Sequence, residues 1–132
     1  MTRWTSQAIA MVGLIASTLT STTCGDRSDA AREARRVFAE ASLPGSGTCW
    51  PGAAQQTANG FETSCEFNLA TDWAEYKRWL RSRMERQYNT RAETDENIAF
   101  SRGLDGDLYT VNASLTDSVA KAVRITFRAM AW

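Results

Sequence analysis

Between Gly60 and Leu69 apolar and polar side chains alternate. Phe61, Thr63, Cys65, Phe67 and Leu69 share one parity, and Glu62, Ser64, Glu66 and Asn68 the other. A strand with one buried and one wet face has this period. The alternation stops at Ala70-Thr71. Beyond it Trp73, Tyr76, Leu80 and Met84 recur at the spacing of a single helix face. Asp72, followed three residues later by Glu75, has the form of a capping box. The Asp72 carboxylate would take the free amides of the first turn, and Glu75 would reach back to the cap amide. The pattern predicts a helix over 72–88 with those four side chains in the core.

Upstream, Ala30, Ala31, Ala34, Val37, Phe38 and Ala41 lie opposite Arg32, Arg35 and Arg36 when wound as a helix. Ser28 or Asp29 caps that helix, and Leu43-Pro44-Gly45 ends it after Ser42. Its apolar face is mostly alanine, so Val37 and Phe38 supply most of the area it can bury. Thr48-Cys49-Trp50 reads as a short strand, and 51–60 as a polar loop ending in the turn dipeptide Asn59-Gly60.

Downstream, 89–97 is polar, has no period and reads as a connection. Strands over 98–104 and 107–115 flank Asp105-Gly106, a two-residue hairpin signal. Tyr109, Val111, Ala113 and Leu115 form the inward set of the second. From Lys121 a last strand sets Val123, Ile125, Phe127 and Ala129 against Arg124, Thr126 and Arg128. The order α-β-β-α-β-β-β, with hairpin-length links among the last strands, predicts a two-layer α+β domain. In it two helices pack on one face of an antiparallel sheet of four to five strands.

The first 23 residues differ from the rest. Arg3 precedes an apolar run from Ala8 to Ala16, followed by small and hydroxylated residues and then Cys24. The run is shorter than the roughly 20 residues a spanning helix needs, and the layout is that of a secretory signal. With Thr23 before Cys24 and Gly25-Asp26-Arg27 after it, the segment resembles a bacterial lipoprotein signal, although Ser21 stands where such signals favour leucine. That resemblance covers residues 1–24 only. It implies cleavage before Cys24 and a lipid on its thiol. The expected organisation is a signal peptide at 1–23, a tether at 24–28 and one α+β domain at 29–132.

Three cysteines are an odd set for an exported chain. Pairing Cys49 with Cys65 leaves Cys24, where the lipid would go, so the two expectations support each other. The bond would close a loop of about 17 residues, which loop entropy values at roughly 3 kcal/mol. Cys65 shares parity with Phe61 and Phe67, which places the bond on the buried side of its strand.

Charge and chemistry narrow the function. Fifteen basic and fifteen acidic residues balance, and the first 23 carry only Arg3 among them. A near-neutral domain makes no overall electrostatic offer to nucleic acid. With no histidine, Ser-His-Asp, Cys-His and His-ligated metal chemistry are excluded, and any enzyme would rest on carboxylates or a cofactor. Ser118-Val-Ala-Lys121 has the S-x-x-K spacing of serine acyl-enzymes without the S-D-N and K-T-G elements that accompany it, and reads as a turn. Asp105 and Asp107 read as hairpin chemistry and Glu93, Asp95 and Glu96 as a solvated loop, so neither a metal nor another cofactor is expected.

The basic residues of the second helix split between two flanks. On one, Trp79, Arg83 and Arg86 cluster, Trp79 and Arg83 being one turn apart. Tryptophan and arginine dominate binding hot spots, so this flank is the candidate partner site. The expected function is that of an exported, lipid-anchored binding protein of the bacterial cell envelope. Its membrane contact is the lipid on Cys24, and its partner an envelope protein or a small ligand. A secreted protein inhibitor and a small carboxylate- or cofactor-dependent enzyme are the alternatives.

Overall fold

Among the described residues, two helices and an antiparallel sheet make a mixed α+β fold, of the class the patterning predicts. The computed structural model describes residues 25–47, 49, 52, 54–57 and 60–131. The signal segment, Cys24, Thr48 and Trp50 lie outside the described residues. The chain divides into two units, Met1–Ala31 and Arg32–Trp132. Of the first, the described part is the start of one helix; the second holds everything that follows.

The elements are α1 (Gly25–Ala41), β1 (Gln55–Thr57), β2 (Gly60–Asn68), α2 (Trp73–Met84), β3 (Asn89–Thr94), β4 (Asn97–Leu104), β5 (Asp107–Asp117) and β6 (Ala122–Ala131). All pairings are antiparallel, in the spatial order β1-β2-β6-β5-β4-β3. The last strand therefore inserts beside β2, at the centre of the sheet.

Register joins the inward sets of the strands into one face. Phe61 and Tyr109 both lie opposite Ala129, Thr63 and Val111 opposite Phe127, and Cys65 and Ala113 opposite Ile125. Ile98 and Phe100 continue the face through Ala113 and Val111. Ile98, Phe100, Val111, Ile125 and Phe127 are fully buried, as are Val37 and Phe38 from α1 and Tyr76 and Leu80 from α2. The Tyr76 ring meets Phe67 edge-on at 5.7 Å, and its hydroxyl donates to Ala41 O at 2.6 Å. One aromatic residue thus joins both helices and the sheet.

Several expectations change. The first helix begins at Gly25, earlier than a cap at Ser28 or Asp29, in a stretch with no proline to stop it. Trp73 is only half-buried, its Nε1 donating to Asp95 O, so the core stripe of α2 is Tyr76, Leu80 and Met84. Asp72 holds the N-cap position but makes no side-chain cap bond, and Glu75 accepts from Thr71 Oγ1 at 2.5 Å. The helix stops at Met84, where the amides of Gln87 and Tyr88 turn back onto Met84 O.

Two strands stand where loops were expected. β1 lies at 55–57, within the expected loop, and pairs with Gly60–Glu62. β3 lies at 89–94, within the expected connection, with every side chain exposed. Among the described residues the sheet thus has six strands, one of only three residues. Asp105 and Gly106 both have positive φ, as the hairpin signal requires.

Cys49 and Cys65 form a disulfide, Cα to Cα 5.4 Å, on the buried side of β2. The loop it holds is anchored at Cys49 and Gly52. Cys49 N donates to Ser42 Oγ, Gly52 N to Ser64 O, and Thr63 Oγ1 to Gly52 O.

Candidate functional site

The predicted flank of α2 borders a cavity of about 110 Å³. Arg36 and Glu40 of α1 face it from one side, Arg83 and Met84 of α2 from the other, and Arg86, Gln87 and Tyr88 from the turn beyond. Arg83 and Arg86 therefore share one site with a residue of the other helix, Arg36, that periodicity alone does not connect to them. Trp79 stands outside the lining. Its ring carries the Arg83 guanidinium at 4.9 Å and tilts against Tyr76 at 5.7 Å.

Two carboxylates hold two of these arginines in place. Arg36 grips Glu33 with both Nε and Nη2, at 2.9 and 2.8 Å, a bidentate fork. Arg83 gives Nε to Glu40 O at 3.0 Å and Nη2 to the Glu40 carboxylate at 2.8 Å. Each contact set uses two of the five N–H donors of a guanidinium. Arg86 is exposed and has no hydrogen-bond or ion-pair partner among the described residues.

Behind the cavity, Glu33 is the centre of a small network. Tyr88 Oη donates to it at 2.6 Å, and Arg102 lies 3.7 Å away and above the Tyr88 ring. Arg102 also donates to Gln87 Oε1, which leaves the Gln87 amide nitrogen as that side chain's donor. Burial pushes the Glu33 carboxyl up, but hydrogen bonds from Arg36 and Tyr88 and the charges of Arg36 and Arg102 outweigh it, so its pKa falls below the ordinary carboxylate value. Burial, then the Glu33 bond, pushes the Tyr88 hydroxyl well above the ordinary tyrosine value. At neutral pH the network is a carboxylate among neutral and cationic donors.

A second, larger cavity of about 310 Å³ lies on the polar face of the sheet. Ser64 and Thr126, opposite one another on β2 and β6, line it with Glu62, Glu66 and Arg124. Here charge is already matched: Arg124 pairs with Glu66, and Arg128 with Glu62. Of the other basic residues of α2, Lys77 and Arg81 share the carboxylate of Glu93, and Arg78 is exposed.

Ser118 lies in the turn before β6, where Asp117 Oδ1 accepts the amides of Val119 and Ala120. Lys121 lies in the same turn and pairs with Asp72. Among the described residues no group of three metal-ligating side chains converges, and no helix is long and apolar enough to cross a membrane. No family model matches the chain, and neither a curated protein nor a solved structure matches it.

Proposed function

We propose that this chain is an exported, lipid-anchored binding domain of a bacterial cell envelope, recognising its partner through the arginine-lined cleft between α1 and α2. The observation that carries the first half is the Cys49–Cys65 disulfide. Such bonds persist in oxidising compartments, and this one leaves Cys24 as the odd cysteine, at the position where the signal resemblance calls for a lipid. The cleft supports the second half: Arg83 is held by Trp79 and Glu40, and Arg86 stands beside it uncommitted.

Mass spectrometry of the membrane fraction tests the anchor. A diacylated Cys24 at the mature N-terminus is expected, and an unmodified thiol or a freely soluble mature protein rejects it. Capture from envelope extract tests the cleft. Wild type is expected to retain a partner that the Trp79→Ala/Arg83→Ala variant loses, and equal capture rejects the surface.

A further inference from the structure

We infer that the cleft between α1 and α2 binds a phosphate-type oxyanion, either free or as the phosphomonoester head of a larger molecule. This deepens the binding reading of the same site and rests on it. The lining carries three guanidinium groups, those of Arg36, Arg83 and Arg86; Glu33 and Glu40 pair with the first two, and Arg86 carries the unmatched charge. Arg36 and Arg83 each commit two of their five N–H donors, so donors remain on all three guanidinium groups for an oxyanion with several acceptor oxygens.

The donors are organised before any ligand arrives. Glu33 fixes the plane of Arg36 through a bidentate contact, while Glu40 and Trp79 fix that of Arg83. Little side-chain freedom remains to be lost at those two positions on binding. Arg86 completes the set, and with Oε1 held by Arg102 the Gln87 amide can donate. Guanidinium forks match phosphate oxygens in geometry as well as in charge.

Arg83 caps the last turn of α1 through Glu40 O, but capping of α2 does not explain Arg86. Backbone amides already occupy the Arg81 and Met84 carbonyls, and Ser82 Oγ occupies that of Trp79. Size sets the remaining limit. At about 110 Å³ the cavity is smaller than the roughly 300 Å³ at which drug-sized ligand pockets begin, so it admits a head group and leaves any larger body outside.

Calorimetric titration of the full chain in nonionic detergent at low ionic strength tests this, with three probes: inorganic phosphate, glycerol 3-phosphate and dihexanoyl phosphatidic acid. Saturable binding that weakens with added salt is expected. Arg86→Gln removes a side chain with no partner among the described residues and is expected to weaken binding roughly tenfold or more, the worth of one charge-assisted hydrogen bond. Arg78→Gln, an exposed arginine of α2 outside the lining, is expected to leave it unchanged. A lipid source predicts the phosphatidic acid to bind roughly tenfold more tightly than glycerol 3-phosphate, and a soluble source predicts parity. Absence of saturable binding by all three probes, or undiminished binding by Arg86→Gln, overturns the assignment. If the Trp79→Ala/Arg83→Ala variant still loses its partner in that case, the binding reading stands and only the phosphate is wrong.

Discussion

The hydroxyl of Tyr88 donates to Glu33 Oε2 at 2.6 Å, joining residues 55 apart in sequence. It ties the turn after α2 to α1 and completes the shell that holds Glu33 ionised. Tyr88→Phe should destabilise the protein by about 1.5 kcal/mol, the low end for a hydrogen bond to a charged group. The effect should depend on pH. A carboxyl whose folded pKa lies below its unfolded value stabilises the fold above the ordinary carboxylate range, and that stability is lost as pH falls through the folded pKa. Urea unfolding at neutral and at acidic pH should therefore show the gap between wild type and Tyr88→Phe narrowing in acid.

Tyr76 makes the opposite prediction about alkali. Its hydroxyl is buried and donates to Ala41 O, and burial holds its pKa far above the ordinary tyrosine value. The unfolded chain releases that proton at lower pH than the folded one, so stability falls as pH rises past the ordinary tyrosine range. Tyr76→Phe should cost about 1–2 kcal/mol at neutral pH by leaving the carbonyl unpaired. Its alkaline unfolding curve should be flatter than that of wild type, as followed by circular dichroism.

Reduction should loosen the molecule at one place. The Cys49–Cys65 bond closes a separation of 16 residues, for which about 3 kcal/mol of stabilisation is expected. The unfolding free energy from urea titration should fall by that amount in reductant, and Cys49→Ser/Cys65→Ser should sit at the reduced position with or without reductant. Free thiols at both positions in a non-reducing peptide map of the native protein would remove the staple.

Gly60 stands where β2 meets β6 opposite Met130, and a Cβ there would run into the Ala129 carbonyl. That carbonyl belongs to a central strand and has no room to give. Gly60→Ala should destabilise by about 1–3 kcal/mol, as overpacking does, and a urea midpoint unchanged from wild type would show that the strand end yields.

The pattern of the chain made some features legible. β2, β4, β5 and β6 are buried on one side and wet on the other, so they alternate in sequence. The Asp105-Gly106 turn was readable because positive φ at two successive positions restricts which residues can stand there. The disulfide was readable from cysteine count and strand parity.

β1 and β3 were not legible, for a common reason. Both lie at the edges of the sheet and are held by backbone pairing to one neighbour. β3 exposes every side chain, and a bulge between Thr90 and Ala92 breaks its register, so no period marks it. Trp73 misled in the other direction. It stands on the apolar stripe of α2, but at the first turn, where its ring reaches the β3–β4 turn instead of the core.

The candidate site divides in the same way. Local spacing along one helix was enough to pair Trp79 with Arg83, since residues four apart share a face, while Arg86 reaches the cleft from the turn after α2. The tertiary structure alone decided that Arg36 of α1 joins them, that Glu40 locks Arg83, and that Tyr88 and Arg102 meet Glu33. Those partners are separated by tens of residues, and only the packing of two helices on one sheet face brings them within hydrogen-bond reach. Sequence therefore determined which faces are buried. Tertiary packing decided which charges remain unmatched, because the neutralisation of a charge depends on neighbours that no local period records.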